Sequence, residues 1–237
     1  MLVQKYKDML SGKSVIRQLS EFATARGQEI GYENVFDYSL GNPSVPVPRE
    51  FTDCMIELLS TQDTNVLHGY SPSLGITSVR EKVAASLEKR FGLPYRKEHI
   101  FMASGAAGAL AHAFRLVSQP GDEILTFAPF FPEYHPYVDL SGAVLKVVPP
   151  DTEAFQINFD KMEEMMNEKV MAVLINTPNN PSGVVYSAET LKKLAEVLKR
   201  KSEEYGHTIY LISDEPYREI VFSGVDAPCV SKFYPDT

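Results

Sequence analysis

Four short segments carry side chains able to do chemistry, and each follows an apolar run. After TIYLIS (208–213) stands Asp214-Glu215-Pro216-Tyr217. A carboxylate placed where a hydrophobic strand emerges is partly desolvated, which costs free energy unless a cation or a donor meets it. Tyr217, three residues on, can turn its hydroxyl toward the same pocket; the plainer alternative is a helix-capping Asp beside a packed Tyr. After VMAVLIN (170–176) stands Thr177-Pro178-Asn179-Asn180-Pro181-Ser182-Gly183. Two prolines, two asparagines and a glycine force a fixed turn, able to aim the amide of Asn180 into a cleft.

The other two segments say less by themselves. After EILTFA (123–128) comes Pro129-Phe130-Phe131-Pro132-Glu133-Tyr134, whose aromatics either cover the face of a flat heterocycle or fill the core. After IFMAS (100–104) comes Gly105-Ala106-Ala107-Gly108. Small residues opening a helix leave free N–H groups at the positive end of its dipole, which suits a phosphate, but small residues at a strand-to-helix turn serve packing equally well.

These segments need elements to hold them. The apolar runs at 100–104, 123–128, 144–148, 170–176 and 208–213 read as strands, with helical patterns at 106–118, 133–142, 159–167 and 188–204 between most of them. In the last helix Ser187 is the expected N-cap, and Leu191, Leu194, Ala195 and Leu198 share one face. Nearly continuous apolar strands alternating with helices indicate an α/β fold with a mainly parallel sheet covered on both sides. Ligands of such sheets bind at the carboxyl ends of the strands, where all four segments fall. Further upstream, Ile76, Val79, Val83, Leu87 and Phe91 form a helical stripe stopped by Gly92 and Pro94. Pro43, Pro46 and Pro48 rule out a helix where they stand. Residues 1 to about 35 are polar and mixed, with a helical patch near Ser20 to Arg26, and read as an arm or a piece of a smaller domain.

The chain has 237 residues, 44% hydrophobic and 23% charged, enough for one large domain or one and a half. A net charge of −8 with no basic run argues against a nucleic-acid partner. No apolar run reaches the ~20 residues needed to span a bilayer, and the first residues carry no leader pattern. Two distant cysteines, Cys54 and Cys229, suggest neither a disulfide framework nor a metal site; reduced thiols in a cytoplasmic protein are expected.

Taken together, the four segments in this order resemble the class I/II aminotransferases of pyridoxal 5'-phosphate (PLP) fold type I, over a span from about Gly41 to the last residue. Asn180-Pro181-Ser182-Gly183 and Asp214 to Tyr217 are the most specific pieces, with Gly41-Asn42-Pro43 and Tyr70-Ser71-Pro72-Ser73-Leu74-Gly75 adding support. The resemblance implies a three-layer α/β/α domain, incomplete at its C-terminus, over 46–237, with an N-terminal arm and small-domain segment over 1–45. It implies that Asp214 meets the pyridine nitrogen of PLP, that Asn180 and Tyr217 hydrogen-bond the ring's 3-oxygen, and that Phe131 stacks on the ring, Tyr134 being the second choice. The backbone of Ala106 and Ala107 would hold the phosphate, although many relatives place a hydroxyl or a charge there. Tyr70 would reach the cofactor of a neighbouring subunit, implying a homodimer, and Gly41 would meet the α-carboxylate of the substrate.

The implied reaction moves an amino group from an amino acid to a 2-oxo acid. Its catalytic lysine is expected beyond Thr237, within a Ser-x-Ser-Lys segment, as is the arginine for the substrate carboxylate. Ser231-Lys232 comes too soon after Asp214, and Lys232 reads as a surface residue. The 237-residue chain alone is therefore expected to bind the cofactor weakly and not to turn over. Three other readings share parts of the pattern. A carbon–sulfur β-lyase has the same cofactor residues, and a PLP-sensing regulatory module would need a DNA-binding domain that residues 1–40 cannot supply. A dinucleotide-binding oxidoreductase would need GxGxxG and an acidic strand end, where this chain has Ala128-Pro129.

Overall fold

Residues 4, 7, 14–41, 45–222 and 224–237 are described by the computed structural model of the chain. They divide into two compact units, Met1–Tyr70 and Ser71–Thr237. The Asn42-Pro43 part of the glycine-asparagine-proline motif lies outside the described residues.

In the second unit, four of the five apolar runs become strands: β1 (Glu123–Phe127), β2 (Val144–Val148), β3 (Val170–Asn176) and β4 (Tyr210–Asp214). They form one sheet in the order β2-β1-β3-β4, with every neighbouring pair parallel. The central strands β1 and β3 are buried on both faces, which is why their sequences are almost wholly apolar, whereas β2 and β4 at the edges are half-buried.

Strand alternation sends successive side chains to opposite faces. Val173 and Ile175 of β3 and Leu125 and Phe127 of β1 pack on one side, against Leu191, Leu194 and Leu198 of the helix Ala188–Tyr205 and Met162 of the helix Phe159–Met165. Ala172, Leu174 and Ile124 pack on the other, against Leu110 and Phe114 of Gly105–Val117 and Tyr134 and Val138 of Tyr134–Asp139. The result is the three-layer α/β/α arrangement. Ser187 does cap its helix: its hydroxyl oxygen accepts the Thr190 N–H at 3.0 Å, and Gly206 closes the other end with φ of 73°.

The run at 100–104 departs from expectation. It pairs with no strand among the described residues, and Phe101 and Met102 are exposed. A side chain meets its first carbonyl instead: the buried Arg80 donates to Ile100 at 2.8 Å, and to the carbonyl of Lys97 just upstream at 2.6 Å. Arg80 belongs to the helix Thr77–Phe91, whose expected stripe is only partly buried, since Ile76 and Val79 remain exposed and Ala84 carries the contact. The helix expected over 133–142 is shorter, Tyr134–Asp139, because the chain turns at Gly142 with φ of 82°.

The first unit is helical. Val15–Ile30 extends the patch seen near Ser20 and ends at Gly31, where φ is 87°. Arg49–Thr61, which periodicity had not flagged, begins directly after Pro48 and buries none of its residues within the chain. The short helix Thr64–Leu67 is capped by Asp63, which accepts from the N–H groups of Asn65 and Val66.

Candidate functional site

Parallel register places the last residues of β3 and β4, Asn176 and Asp214, side by side. The Asn176 amide donates to the Asp214 backbone carbonyl at 2.8 Å, and its oxygen accepts the Asn180 N–H at 2.6 Å. One buried side chain thus ties the strand carrying the carboxylate to the loop carrying the next polar group. Asn179, also buried, stiffens that loop: its oxygen accepts the Ser182 N–H and hydroxyl at 3.0 and 2.8 Å, and its amide donates to the Pro129 carbonyl at 3.3 Å. Gly183 adopts φ of 72°, a conformation that excludes most side chains.

Asn180 is held so that its amide donates to the Tyr217 hydroxyl at 3.2 Å. Because that oxygen accepts, the hydroxyl proton of Tyr217 is available to a ligand, as is the second amide proton of Asn180. Asn180, Tyr217 and Asp214 line one cleft together with Asn176, Ala106, Ala107, Leu110, Phe131, Tyr137 and Pro216. The structure therefore brings together six of the residues singled out from sequence: Ala106, Ala107, Phe131, Asn180, Asp214 and Tyr217. Gly41 and Tyr70 belong to the first unit, where both are exposed.

Asp214 sets the electrostatics. Its Oδ2 accepts the hydroxyl of the fully buried Tyr134 at 2.6 Å, and no cation pairs with it among the described residues. Burial lifts its carboxyl above the ordinary carboxylate range; the Tyr134 hydrogen bond opposes that rise and the charge of Glu215 adds to it. The Tyr134 hydroxyl is pushed upward too, by burial and then by the carboxylate it serves, so it remains a donor. A half-buried carboxylate with no cation partner suits a positively charged ring nitrogen. On the opposite lip, Gly105 turns with φ of 70°, no side chain caps the helix behind it, and the N–H groups of Ala106 and Ala107 are left for an anion. The residues present therefore fit PLP, at its ring and at its phosphate.

Two members of this arrangement escaped the sequence. Asn176 was available as the one polar residue closing an otherwise apolar strand. Tyr134, weighed only as a ring-stacking aromatic, instead holds Asp214 and packs edge-to-face against Phe131 at 5.7 Å, an arrangement spanning 80 residues that no local pattern records. Lys232 is exposed, in a short turn at Val230–Lys232.

Comparisons with known proteins agree with this geometry. The chain is 30% identical over 219 residues to an aspartate aminotransferase of Thermotoga maritima, covering 88% of this chain and 55% of that protein. It is 32% identical over 211 residues to a probable aspartate/prephenate aminotransferase of Aquifex aeolicus, covering 88% and 50%. The chain thus spans about half the length of these curated relatives. A crystal structure of an aminotransferase from Eubacterium rectale superposes with a TM-score of 0.94 at 44% identity, covering 100% of this chain and 60% of the other. The family profile of aminotransferase class I and II matches residues 33–233. With the parallel sheet, the strand-end carboxylate and the asparagine-tyrosine pair already in place, that match leaves one conclusion: the chain belongs to the class I and II aminotransferases.

Proposed function

We propose that this chain is the N-terminal portion of a PLP-dependent aminotransferase that moves an amino group from an amino acid to a 2-oxo acid. The observation that carries the reading is Asp214: a half-buried carboxylate at a strand end, paired with no cation among the described residues, beside the Asn180–Tyr217 pair. Asp214 would hold the ring nitrogen in its protonated form. Asn180 and Tyr217 would donate to the ring's 3-oxygen, Phe131 would cover one ring face, and the N–H groups of Ala106 and Ala107 would take the phosphate. Asn176 and Tyr134 would keep Asp214 and Asn180 in register. When bound, PLP supplies an electron sink for charge developing at the amino acid's Cα.

In this reading residues 1–45 form the arm and small-domain segment and 46–237 the incomplete large domain. Gly41 meets the substrate carboxylate, Tyr70 reaches a neighbouring subunit's cofactor in a homodimer, and the enzyme works in amino-acid biosynthesis in the cytoplasm. The lysine that anchors the cofactor lies beyond Thr237. Family membership and the cleft residues support the reading; among the described residues no helix is long and apolar enough to cross a membrane.

The test uses pyridoxamine 5'-phosphate, which binds without a covalent link, titrated calorimetrically into the full-length protein. Asp214→Asn is expected to weaken binding by roughly 3 kcal/mol, as when one partner of a desolvated charge pair is removed, and to abolish amino transfer to 2-oxoglutarate. Equal affinity in parent and variant would overturn the assignment.

A further inference from the structure

We infer that Arg218, outside the cleft, is a positioning residue for it: through Glu215 it fixes the turn bearing Asp214 and Tyr217 and offsets the negative charge adjacent to Asp214. The second of the two tests below rests on the cofactor reading; the first does not.

After Asp214 the chain reverses through Glu215-Pro216-Tyr217-Arg218. A turn at a strand end has no sheet partner to hold it, so its geometry depends on side-chain contacts. Here the guanidinium of Arg218 supplies them. Its Nε donates to Glu215 Oε2 at 2.7 Å, Nη1 to the Ala227 carbonyl at 2.7 Å and Nη2 to the Pro228 carbonyl at 2.9 Å. Its flat face lies 5.1 Å from the ring centre of Phe91, at the end of the helix Thr77–Phe91. All three nitrogens are engaged, and the side chain is 10% exposed. The other oxygen of Glu215 accepts the Ser213 hydroxyl at 2.8 Å. Glu215 is therefore gripped from both sides of Asp214 in sequence, by Ser213 before it and Arg218 after it.

Neither Glu215 nor Arg218 lines the cleft, so neither is placed to touch a ligand there. Their influence runs through Asp214. The groups facing that carboxylate are the Tyr134 hydroxyl from the helix Tyr134–Asp139, the Asn176 amide on its backbone from β3, and Glu215 and Tyr217 from its own turn; Tyr137 lines the same cleft. Of these only Glu215 carries charge, and it is negative. Arg218 places the opposite charge directly on Glu215, in a position sheltered from solvent, where screening by salt is weak. A buried guanidinium that holds a carboxylate and two carbonyls at once cannot be matched by an ammonium, which is a single point of charge.

The first test measures thermal stability against pH without cofactor, comparing each protein with its own Asp214→Asn counterpart. Asp214 is raised above its ordinary value, so the parent loses stability relative to that counterpart as pH climbs from the ordinary carboxylate range through the raised value. In Arg218→Gln the upper end of this window is expected to move to higher pH. It should return to the parent position or below in the Arg218→Gln/Glu215→Gln double variant, and stay near it in Arg218→Lys, which keeps the charge. A window unmoved in Arg218→Gln, or one equally displaced in the double variant, would overturn the inference; should Arg218→Gln not fold, Arg218→Met removes the same charge and is held to the same outcomes.

The second test titrates pyridoxamine 5'-phosphate into the full-length protein. Arg218→Gln is expected to bind about tenfold more weakly, the scale of coupling within one hydrogen-bonded network, with Arg218→Lys in between. Affinity equal to the parent in Arg218→Gln would overturn the positioning role. Undiminished binding by Asp214→Asn would instead bring down the cofactor reading, and the pH window would still decide Arg218.

Discussion

The hydroxyl of Tyr134 points its proton at Asp214 across 2.6 Å, joining the first residue of a helix on one face of the sheet to the last residue of an edge strand. This is the only hydrogen bond to the Asp214 carboxylate among the described residues, and Tyr134 is fully buried while making it. A buried tyrosine hydroxyl without a partner is costly, and a half-buried carboxylate without a donor is costlier; each offsets part of the other's penalty. The pair engages Oδ2 and leaves Oδ1 of Asp214, a residue that lines the cleft, without a hydrogen bond among the described residues.

The pH dependence of stability follows from the direction of the Asp214 shift. A carboxyl raised in the folded state is neutral in both states at low pH and carries a burial penalty once ionised, so its contribution worsens as pH rises above the ordinary range. Asp214→Asn is expected to melt higher than the parent at pH 8 and to converge with it at pH about 3, below the ordinary carboxylate value. Calorimetric melting at both pH values checks this.

Removing the donor acts in the opposite sense. Tyr134→Phe keeps the ring packing against Phe131 and Val138 but strips the hydrogen bond that holds the Asp214 value down. The expected cost at neutral pH is about 1–3 kcal/mol, read from the urea midpoint. That cost should shrink in acid as Asp214 takes up its own proton.

Asn176 serves two backbone groups at once, so Asn176→Leu leaves the Asp214 carbonyl and the Asn180 N–H unsatisfied. Two orphaned groups cost on the order of 2–5 kcal/mol together, measurable by urea unfolding. Exchange of the Asn180 amide hydrogen should also become faster, because the loop loses its anchor to β3.

Two substitutions on the helix Ala188–Tyr205 separate core packing from capping. Leu194→Ala opens space at a fully buried position and is expected to cost about 2–5 kcal/mol. Ser187→Ala removes the acceptor for the Thr190 N–H together with the hydroxyl contact to Thr190, leaves the core filled, and should cost about 1 kcal/mol. Urea midpoints of the two variants should rank in that order.

How far the fold could be read from sequence depended on where each residue finds its partner. The strands at 123–127 and 170–176 were legible because a parallel strand buried on both faces is apolar nearly throughout, and the edge strand at 144–148 because it is a short run of valine and leucine broken only by Lys146. The Ser187 cap and the Gly92 stop were legible because their partners lie within one helical turn. The segment at 100–104 was misread as a strand: its apolar composition is real, but it pairs with no strand among the described residues, and the carbonyl of Ile100 at its start is taken by Arg80, 20 residues away. At the site, residues ending apolar runs could be named from the chain alone. Tyr134 holding Asp214, and Arg218 gripping the 227–228 backbone, could not, because those contacts exist only once the sheet has brought distant segments together.

The strand order β2-β1-β3-β4 also bears on how the chain comes off the ribosome. Sheet assembly can begin with β1 and β2 once residue 148 has emerged; β3 then adds to the free side of β1, and β4 to the free side of β3. Among these four, each new strand meets an exposed edge already waiting for it, so their synthesis and assembly advance in the same direction and no pair of them must separate to admit another.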